Sequence, residues 1–513
     1  MYPATHAAAT PDRPAVIMGE SGEVVTYREL DERSNQFAHH LRSLQLSPRD
    51  VVAILMDNNP RYHEVAWGVR RTGHYFTPVN SHLTADEIAY IVNDSGATVL
   101  VANAGVAELA RGLTPEVVPA VRQPLFIGPP PPGWTSYDDV ISSWPVTPVP
   151  NEAEGDIIQY SSGTTGKPKG IRRPLSGQLI NLEQDPAVPF LRAIGFGDGD
   201  TYLSPAPLYH TAPIYWTMSV HRLGGTVVVM EKFDAERALA LIEQHRVTHT
   251  QMVPTMFVRM LKLEEAVRTK YDLSSLQQVI HAAAPCPVEV KRQMIDWWGP
   301  IISEFYSSSE GAGATFVTAA EWLEHPGTVG KSVVGSIHVL DDDGNELAPG
   351  EVGTIWADAP QRFDYLNDDE KTRQHHNDRG WTTVGDVGYL DADGYLYLTD
   401  RKAYMIISGG VNIYPQEIED VLIGHPAVHD VAVLGVPNAD FGEEVKAVVQ
   451  PASMSDAGPD LEAELIEYCR RHLAGYKCPR SVDFDAKLPR TDTGKLYKRR
   501  LSDRYWGRTQ AAQ

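Results

Sequence analysis

The densest run of reactive side chains is Tyr160-Ser161-Ser162-Gly163-Thr164-Thr165-Gly166-Lys167-Pro168-Lys169-Gly170, with three glycines, four Ser/Thr hydroxyls and two lysines. Glycines let backbone N–H groups converge on an anion, hydroxyls add donors and lysines add charge, so the run suits a loop that wraps polyphosphate. It is not a Walker loop, which needs a longer spacer before Gly-Lys and then Ser or Thr. Here only Thr164 and Thr165 separate Gly163 from Gly166-Lys167, and Pro168 follows. A mobile Ser/Gly linker is the plain alternative, but linkers rarely fix two lysines and a proline in place.

Asp156-Ile157-Ile158-Gln159, directly before the loop, reads as the end of a buried strand. Upstream, Thr26-Tyr27-Arg28-Glu29 and Thr84-Ala85-Asp86-Glu87 have capping-box form, each opening an apolar-striped helix followed by a strand, at 51–56 and 98–101. Residues 129–150 are proline-rich and read as a surface crossing between two lobes. The alternation then resumes with helices at 234–245, 255–262 and 287–298 and strands at 248–253, 278–282 and 301–305. This implies an α/β fold with helix-flanked, mostly parallel sheets. From about 333 short strands and Asp-Gly turns predict a small β-rich subdomain to 399. Beyond 404 the order strand, helix, strand, strand, helix, strand predicts a small α+β domain to 513, so the large N-terminal domain spans 1–399.

At 513 residues the chain is too long for one core. Lys+Arg 45 minus Asp+Glu 67 gives a net charge of −22, which argues against nucleic acid or an anionic membrane as a main partner. Any site for a polyanion must therefore be locally basic. Cys286, Cys469 and Cys478 are scattered and odd in number, which points to a reducing compartment without a disulfide framework. With no leader-like N-terminus and no long apolar run, the expectation is a cytoplasmic protein without integral membrane association.

The phosphate loop resembles, residue for residue, that of the adenylate-forming superfamily: acyl-CoA synthetases, aryl-CoA ligases, luciferases and peptide-synthetase adenylation domains. Seven further stretches resemble the same superfamily in the same order. The resemblance implies that Ser161, Ser162, Gly163, Thr164, Thr165, Gly166 and Lys167 bind the phosphates of ATP. In Pro205-Ala206-Pro207-Leu208-Tyr209-His210-Thr211, His210 would sit beside the reacting carboxylate and gate the acyl pocket; alone, it reads equally well as a histidine packed at a strand end. Amino-acid-activating relatives carry an aspartate where Thr211 stands, so an α-amino acid substrate is disfavoured: its ammonium would be buried unpaired. Ala283-Ala284-Pro285 resembles the loop under adenine, its bland alternative being a strand-to-helix turn with proline at the first helical position.

Phe305-Tyr306-Ser307-Ser308-Ser309-Glu310-Gly311 resembles the family's Tyr-Gly-x-Thr-Glu. Tyr306 would stack on adenine, Ser309 would donate to the α-phosphate or acyl oxygen, and Glu310 would ligate Mg²⁺. Ser307 replaces the usual glycine, which would narrow the acyl pocket, and Ser309 replaces the usual threonine. Asp386, in Val384-Gly385-Asp386, would accept from both ribose hydroxyls, though alone it reads as a turn residue. Asp400, Arg401 and Ala403 fall on the hinge linker 400–403. Arg401 would contact ribose or phosphate, and Ala403 stands where a polar pivot is usual.

Gly409 and Gly410 would border a coenzyme A tunnel; a plain hairpin is the alternative. Lys495, in Pro489-Arg490-Thr491-Asp492-Thr493-Gly494-Lys495, would bridge the carboxylate and the α-phosphate. The same stretch has the form recognised by bacterial lysine acetyltransferases. The acyl pocket would be lined by His210, Thr211, Trp216, Val253, Ala282, Ser307, Ser308 and Gly311. The function so implied is an acyl-CoA synthetase for an apolar carboxylic acid, using ATP, Mg²⁺ and coenzyme A, with a mobile C-terminal domain. A ligase that loads carrier-protein phosphopantetheine and a catalytically idle nucleotide-binding homologue are the alternatives, and a homodimer stays open.

Overall fold

The computed structural model describes residues 2–47, 50–161, 168–181, 187–358, 363–401, 404–409, 411–438, 440–490 and 496–507. Its largest sheet has nine strands, in the order Lys331–Val334, Ala314–Val317, Ile302–Ser307, Gln278–His281, His249–Met252, Thr201–Ser204, Thr226–Val229, Pro14–Met18 and Val24–Thr26. The six from Ile302–Ser307 to Pro14–Met18 run parallel. Thr226–Val229 and His249–Met252 are buried at every position, as parallel strands covered on both faces must be. A second, all-parallel sheet orders Thr135–Ser136, Gln123–Ile127, Ala97–Asn103, Val51–Leu55, Tyr75–Pro78 and Asp156–Ile157.

One core joins the two sheets, with the helices Tyr27–Ser43, Tyr62–Arg70 and Thr211–Leu223 contributing side chains to it. Thr26 and Glu29 form the capping box expected of the first of these, and Thr84 and Glu87 cap Ala85–Asp94 likewise. Tyr62–Arg70 is buried on all sides and therefore carries buried charge. Its Arg70 and the Arg222 of Thr211–Leu223 clasp the Glu154 carboxylate, Arg222 donating to both oxygens at 2.8 and 2.7 Å. His63 pairs with Thr217 at 2.9 Å. A buried charge left without its partner is strongly destabilising, so these contacts fix where Thr211–Leu223 lies.

Two expectations are corrected. The proline-rich 129–150 segment is not only a surface crossing: Thr135–Ser136 pairs into the six-stranded sheet, and the helix Tyr137–Ser142 buries Tyr137 and Ile141 completely. Asp156–Ile157 is a half-buried edge strand rather than a buried one, although Ile158 beyond it is 1% exposed.

Gln159–Tyr160 and Gly170–Arg172 pair antiparallel, with Ser161 N donating to Lys169 O at 2.9 Å, so the described residues on either side of 162–167 form a hairpin stem. Asp364–Tyr365 adds a third strand to it. A four-stranded antiparallel sheet follows, of Ser336–Leu340, Gly353–Asp358, Asp386–Leu390 and Leu396–Arg401. Lys331–Val334, near the expected start of the β-rich region, belongs instead to the nine-stranded sheet.

The last unit is a five-stranded sheet of Val411–Ile413, Ile406–Ser408, Gly442–Pro451, Val428–Asn438 and Ser481–Phe484. Pro415–Ile423 and Pro459–His472 pack on one face and Lys498–Tyr505 on the other, because alternate residues of Val428–Asn438 feed two separate cores. The chain is thus an α/β protein with a large N-terminal and a small C-terminal domain. All three cysteines are free thiols. No described helix is long and apolar enough to cross a membrane.

Candidate active site

In the nine-stranded sheet the chain leaves Thr201–Ser204 for Thr226–Val229 on one side, then returns to His249–Met252 on the other. Such a reversal opens a crevice beyond the carboxyl ends of the two diverging strands, where ligands bind in open α/β sheets. Four neighbouring parallel strands end here. Thr201–Ser204 runs into 205–211, His249–Met252 into Val253, Gln278–His281 into 282–285, and Ile302–Ser307 into 308–313. The sequence-predicted acyl, adenine and metal residues of the N-terminal domain thus issue from one edge.

The 205–211 segment is held by residues that the sequence did not single out. Asn58 donates to Ala206 O at 3.2 Å and Met230 O at 2.7 Å and accepts from Leu208 N at 2.8 Å. Gln159 Nε2 donates to Tyr209 O at 3.1 Å. His210 is the N-cap of Thr211–Leu223, with its ring 4.5 Å from that of Tyr209. Thr211 Oγ1 and Ser309 Oγ are hydrogen-bonded at 2.9 Å, and an Arg173 guanidinium nitrogen donates to Ser309 O at 2.8 Å.

Tyr306 and Asp386, 80 residues apart, are brought together: the phenol donates to Asp386 Oδ2 at 2.7 Å. Asp386 is 7% exposed and opens its strand opposite Arg401, while Gly385 before it adopts φ +80°. Glu310 Oε1 accepts from the Tyr365 phenol at 2.9 Å. Lys169 bonds Asp368 at 2.6 Å, and that contact holds the lysine above its ordinary pKa.

Ser307 is exposed, with its hydroxyl donating to Gly313 O at 3.0 Å, and Ser308 Oγ accepts from Ala312 N at 3.4 Å. Gly311 and Gly313 both take φ +74°, and a Cβ on Gly313 would stand 2.8 Å from Ala357 Cβ. Ala283 also sits at φ +74°, a left-handed conformation that costs an L-residue about 1 kcal/mol or more. The helix after it starts at Val288 with Pro287 as its N-cap, so Pro285 is not at a first helical position. Ala282 and Val253 are buried, and Ala284 is half-buried.

Trp216 stacks on Tyr202 with ring centroids 6.3 Å apart and is met by Phe190 and Phe305, each at 5.9 Å. Phe190 also meets Phe316 edge-on at 5.1 Å. Phe190, Phe305 and Phe316 are only half-buried, and none was among the residues expected to line the acyl pocket.

Ser162, Gly163, Thr164, Thr165, Gly166, Lys167, Ala403, Gly410 and Lys495 lie outside the described residues, as do the side chains of Asp400 and Arg401. Arg490 and Leu496 pair across the segment that carries Lys495, and Arg490 grips Asp430 with bonds of 2.5 and 2.7 Å. Gly409 takes φ +57° against the Phe441 ring, where a Cβ would stand 2.9 Å from Cδ1. Lys262, just past the helix Pro254–Leu261, donates to Val428 O at 3.4 Å and His429 O at 3.0 Å, joining the large domain to the small one.

Among the described residues no cluster of three or more His, Cys, Asp or Glu could hold a metal ion. A lone carboxylate such as Glu310 nevertheless fits Mg²⁺, which keeps several waters and completes its shell with substrate phosphates.

Residues 4–364 match the AMP-binding enzyme family, and residues 417–495 match the AMP-binding enzyme C-terminal domain. The chain is 33% identical over 510 residues to a feruloyl-CoA synthase of Amycolatopsis sp, covering 98% of both proteins. It is 32% identical over 519 residues to the fatty acid–[acyl-carrier-protein] ligase ScoC of Streptomyces coeruleorubidus, covering 98% of this chain and 95% of that one. The structure of o-succinylbenzoate CoA synthetase from Bacillus subtilis, in complex with its acyl-adenylate intermediate, superposes with a TM-score of 0.82 at 26% identity. That match covers 98% of this chain and 97% of the other. The chain belongs to the AMP-binding enzyme family of the adenylate-forming superfamily, as an AMP-forming acid–thiol ligase.

Proposed function

We propose that the protein is an ATP-dependent acyl-CoA synthetase that activates an apolar fatty, aryl or bulky cyclic carboxylic acid. One observation carries this reading: Thr211–Ser309 and Tyr306–Asp386 converge on the same sheet edge. The first pair belongs to the acyl side and the second to the nucleotide side, so the carboxylate and the α-phosphate meet between them. A neutral hydroxyl pair in place of a carboxylate at position 211 favours an acid without an ammonium. The half-buried rings of Phe190, Phe305 and Phe316 beside Trp216 supply apolar contact.

A carboxylate is a poor acyl donor because its leaving group would be oxide. Attack of a carboxylate oxygen on the α-phosphorus forms the acyl–AMP bond and breaks the bond to pyrophosphate. A thiolate then attacks the acyl carbon and AMP departs. Residues of this chain mainly hold two anions together: Lys495 and the 161–167 loop neutralise charge, and Ser309 donates to the oxygen that becomes more negative. Glu310 would hold Mg²⁺, which screens the phosphates when bound. Asp386 and Arg401 hold the ribose, Ala283, Ala284 and Pro285 border the base, and Gly409 and Gly410 border the pantetheine.

The test is pyrophosphate release over short, medium and long fatty acids, benzoates, cinnamates and sterol acids, each with and without coenzyme A, with and without EDTA. Release from no acid in the series overturns the reading. The relative that loads an acyl-carrier protein favours a second reading, in which carrier-bound phosphopantetheine is the acceptor. Product formed only with carrier protein would select it.

A further inference from the structure

We propose that Glu304, Lys291 and His281 form a buried cross-brace that sets the gap between the Tyr306 ring and the Ala283–Pro285 turn, which makes all three positioning residues for the nucleobase. The inference deepens the nucleotide reading of that edge and rests on it.

One carboxylate oxygen is the centre of the brace. Glu304 Oε2 accepts from Lys291 Nζ at 2.7 Å and lies 3.2 Å from His281 Nε2. His281 and Lys291 are fully buried and Glu304 is 5% exposed. His281 ends its strand immediately before Ala282 and pairs in register with Glu304, which stands two residues before Tyr306. Lys291 lies near the start of Val288–Trp298, the helix that follows the turn. The carboxylate two residues before Tyr306 is therefore bonded by Lys291 at one end of the 282–290 connection and approached at 3.2 Å by His281 at the other.

The surroundings are apolar. The Lys291 ammonium sits 4.7 Å from the Trp322 ring centroid, and Phe257 presents its ring to His281 at 5.5 Å. Burial disfavours the Glu304 charge, but His281 and Lys291 outweigh it and hold the carboxyl below its ordinary range. Burial lowers the His281 pKa, with Glu304 opposing that shift. A buried ion pair is a poor source of net stability compared with an apolar cluster of the same shape. What it adds is direction, since the Lys291 ammonium must point at the same oxygen that the His281 ring faces at 3.2 Å. Ala283, two residues past His281, holds a left-handed backbone that persists only where its surroundings over-determine it. Brace and strained turn are contiguous in the chain.

The experiment measures ATP-dependent pyrophosphate release by the full chain, with ATP and inosine triphosphate compared. Glu304→Gln raises the ATP KM roughly tenfold and narrows the preference for ATP, while the acid KM and kcat change less than about twofold. Because Glu304→Gln leaves the ammonium unpaired and lowers stability, Lys291→Met with Glu304→Gln is measured beside it. The paired variant recovers melting temperature but keeps the raised KM. A variant that melts lower yet retains the parental ATP KM and base preference overturns the proposal. Tyr306→Leu separates the two levels: if it too leaves the ATP KM unchanged, the nucleotide reading falls with the brace. If it alone raises KM, only the brace is wrong.

Discussion

The two large sheets share a topological device and use it differently. In the six-stranded sheet the chain leaves Val51–Leu55 for Tyr75–Pro78 on one side, then returns to Ala97–Asn103 on the other, the same reversal that opens the crevice in the nine-stranded sheet. There, however, the crevice is filled by the chain itself. Asn103 donates to Asp57, and a Cβ built on Gly105 would overlap the Asp57 carboxylate. In the nine-stranded sheet the corresponding edge presents His210, Ala283 and Ser309. Topology makes a crevice twice, and loop chemistry decides which becomes a site. The filled edge still contributes, because Asn58, next to Asp57, reaches across to hold 206–208.

The sharpest break would come from Lys495, the cation proposed to serve the open edge. Lys495→Ala lowers adenylation of the acid by about 100- to 1,000-fold while thioester formation from supplied acyl adenylate is largely kept. Single-turnover assays of each half-reaction check this, and equal loss in both contradicts a role confined to the first. Asp386→Ala raises the ATP KM by about 10- to 100-fold, the scale of a lost charge-assisted hydrogen bond, with kinetics read by pyrophosphate release.

Asn58→Ala tests the link between the edges. It strands two buried carbonyls and an N–H, which costs about 2–4 kcal/mol in denaturant unfolding and raises the acid KM severalfold. An unchanged acid KM in a destabilised variant would reduce Asn58 to a purely structural residue. Gly105→Ala, at the filled edge, lowers stability by about 1–3 kcal/mol and leaves both KM values at the parental level. A kinetic loss like that of Asp386→Ala would erase the contrast between the sheets.

Elements with a local signal were legible in sequence. Thr26 with Glu29 and Thr84 with Glu87 announced helix starts that capping boxes then supplied, and the apolar stripe of Ala235–His245 declared its buried face. Tyr62–Arg70 has no exposed face: its His63, Glu64 and Arg70 are buried, so they do not mark a solvent side as polar residues of a surface helix do. Lys498–Tyr505 buries only Lys498 and Leu501, too thin a stripe to read, and Val411–Ile413 is three residues long.

The site divides in the same way. Its motifs were found through their order along the chain, since Asp386 alone looks like a turn residue. The residues that hold the motifs in place were missed. Asn58 and Ala206 are 148 positions apart and Arg173 and Ser309 136, distances over which no local pattern speaks. Alanine carries no signal for a left-handed backbone, so the conformation of Ala283 was invisible as well.

The Lys262 ammonium hydrogen-bonds Val428 and His429 through their carbonyl oxygens. Every residue type carries that acceptor, so the contact itself does not depend on which side chains stand at 428 and 429. Responsibility for this bond between the two domains therefore falls on the lysine alone, and a change of that one codon removes it.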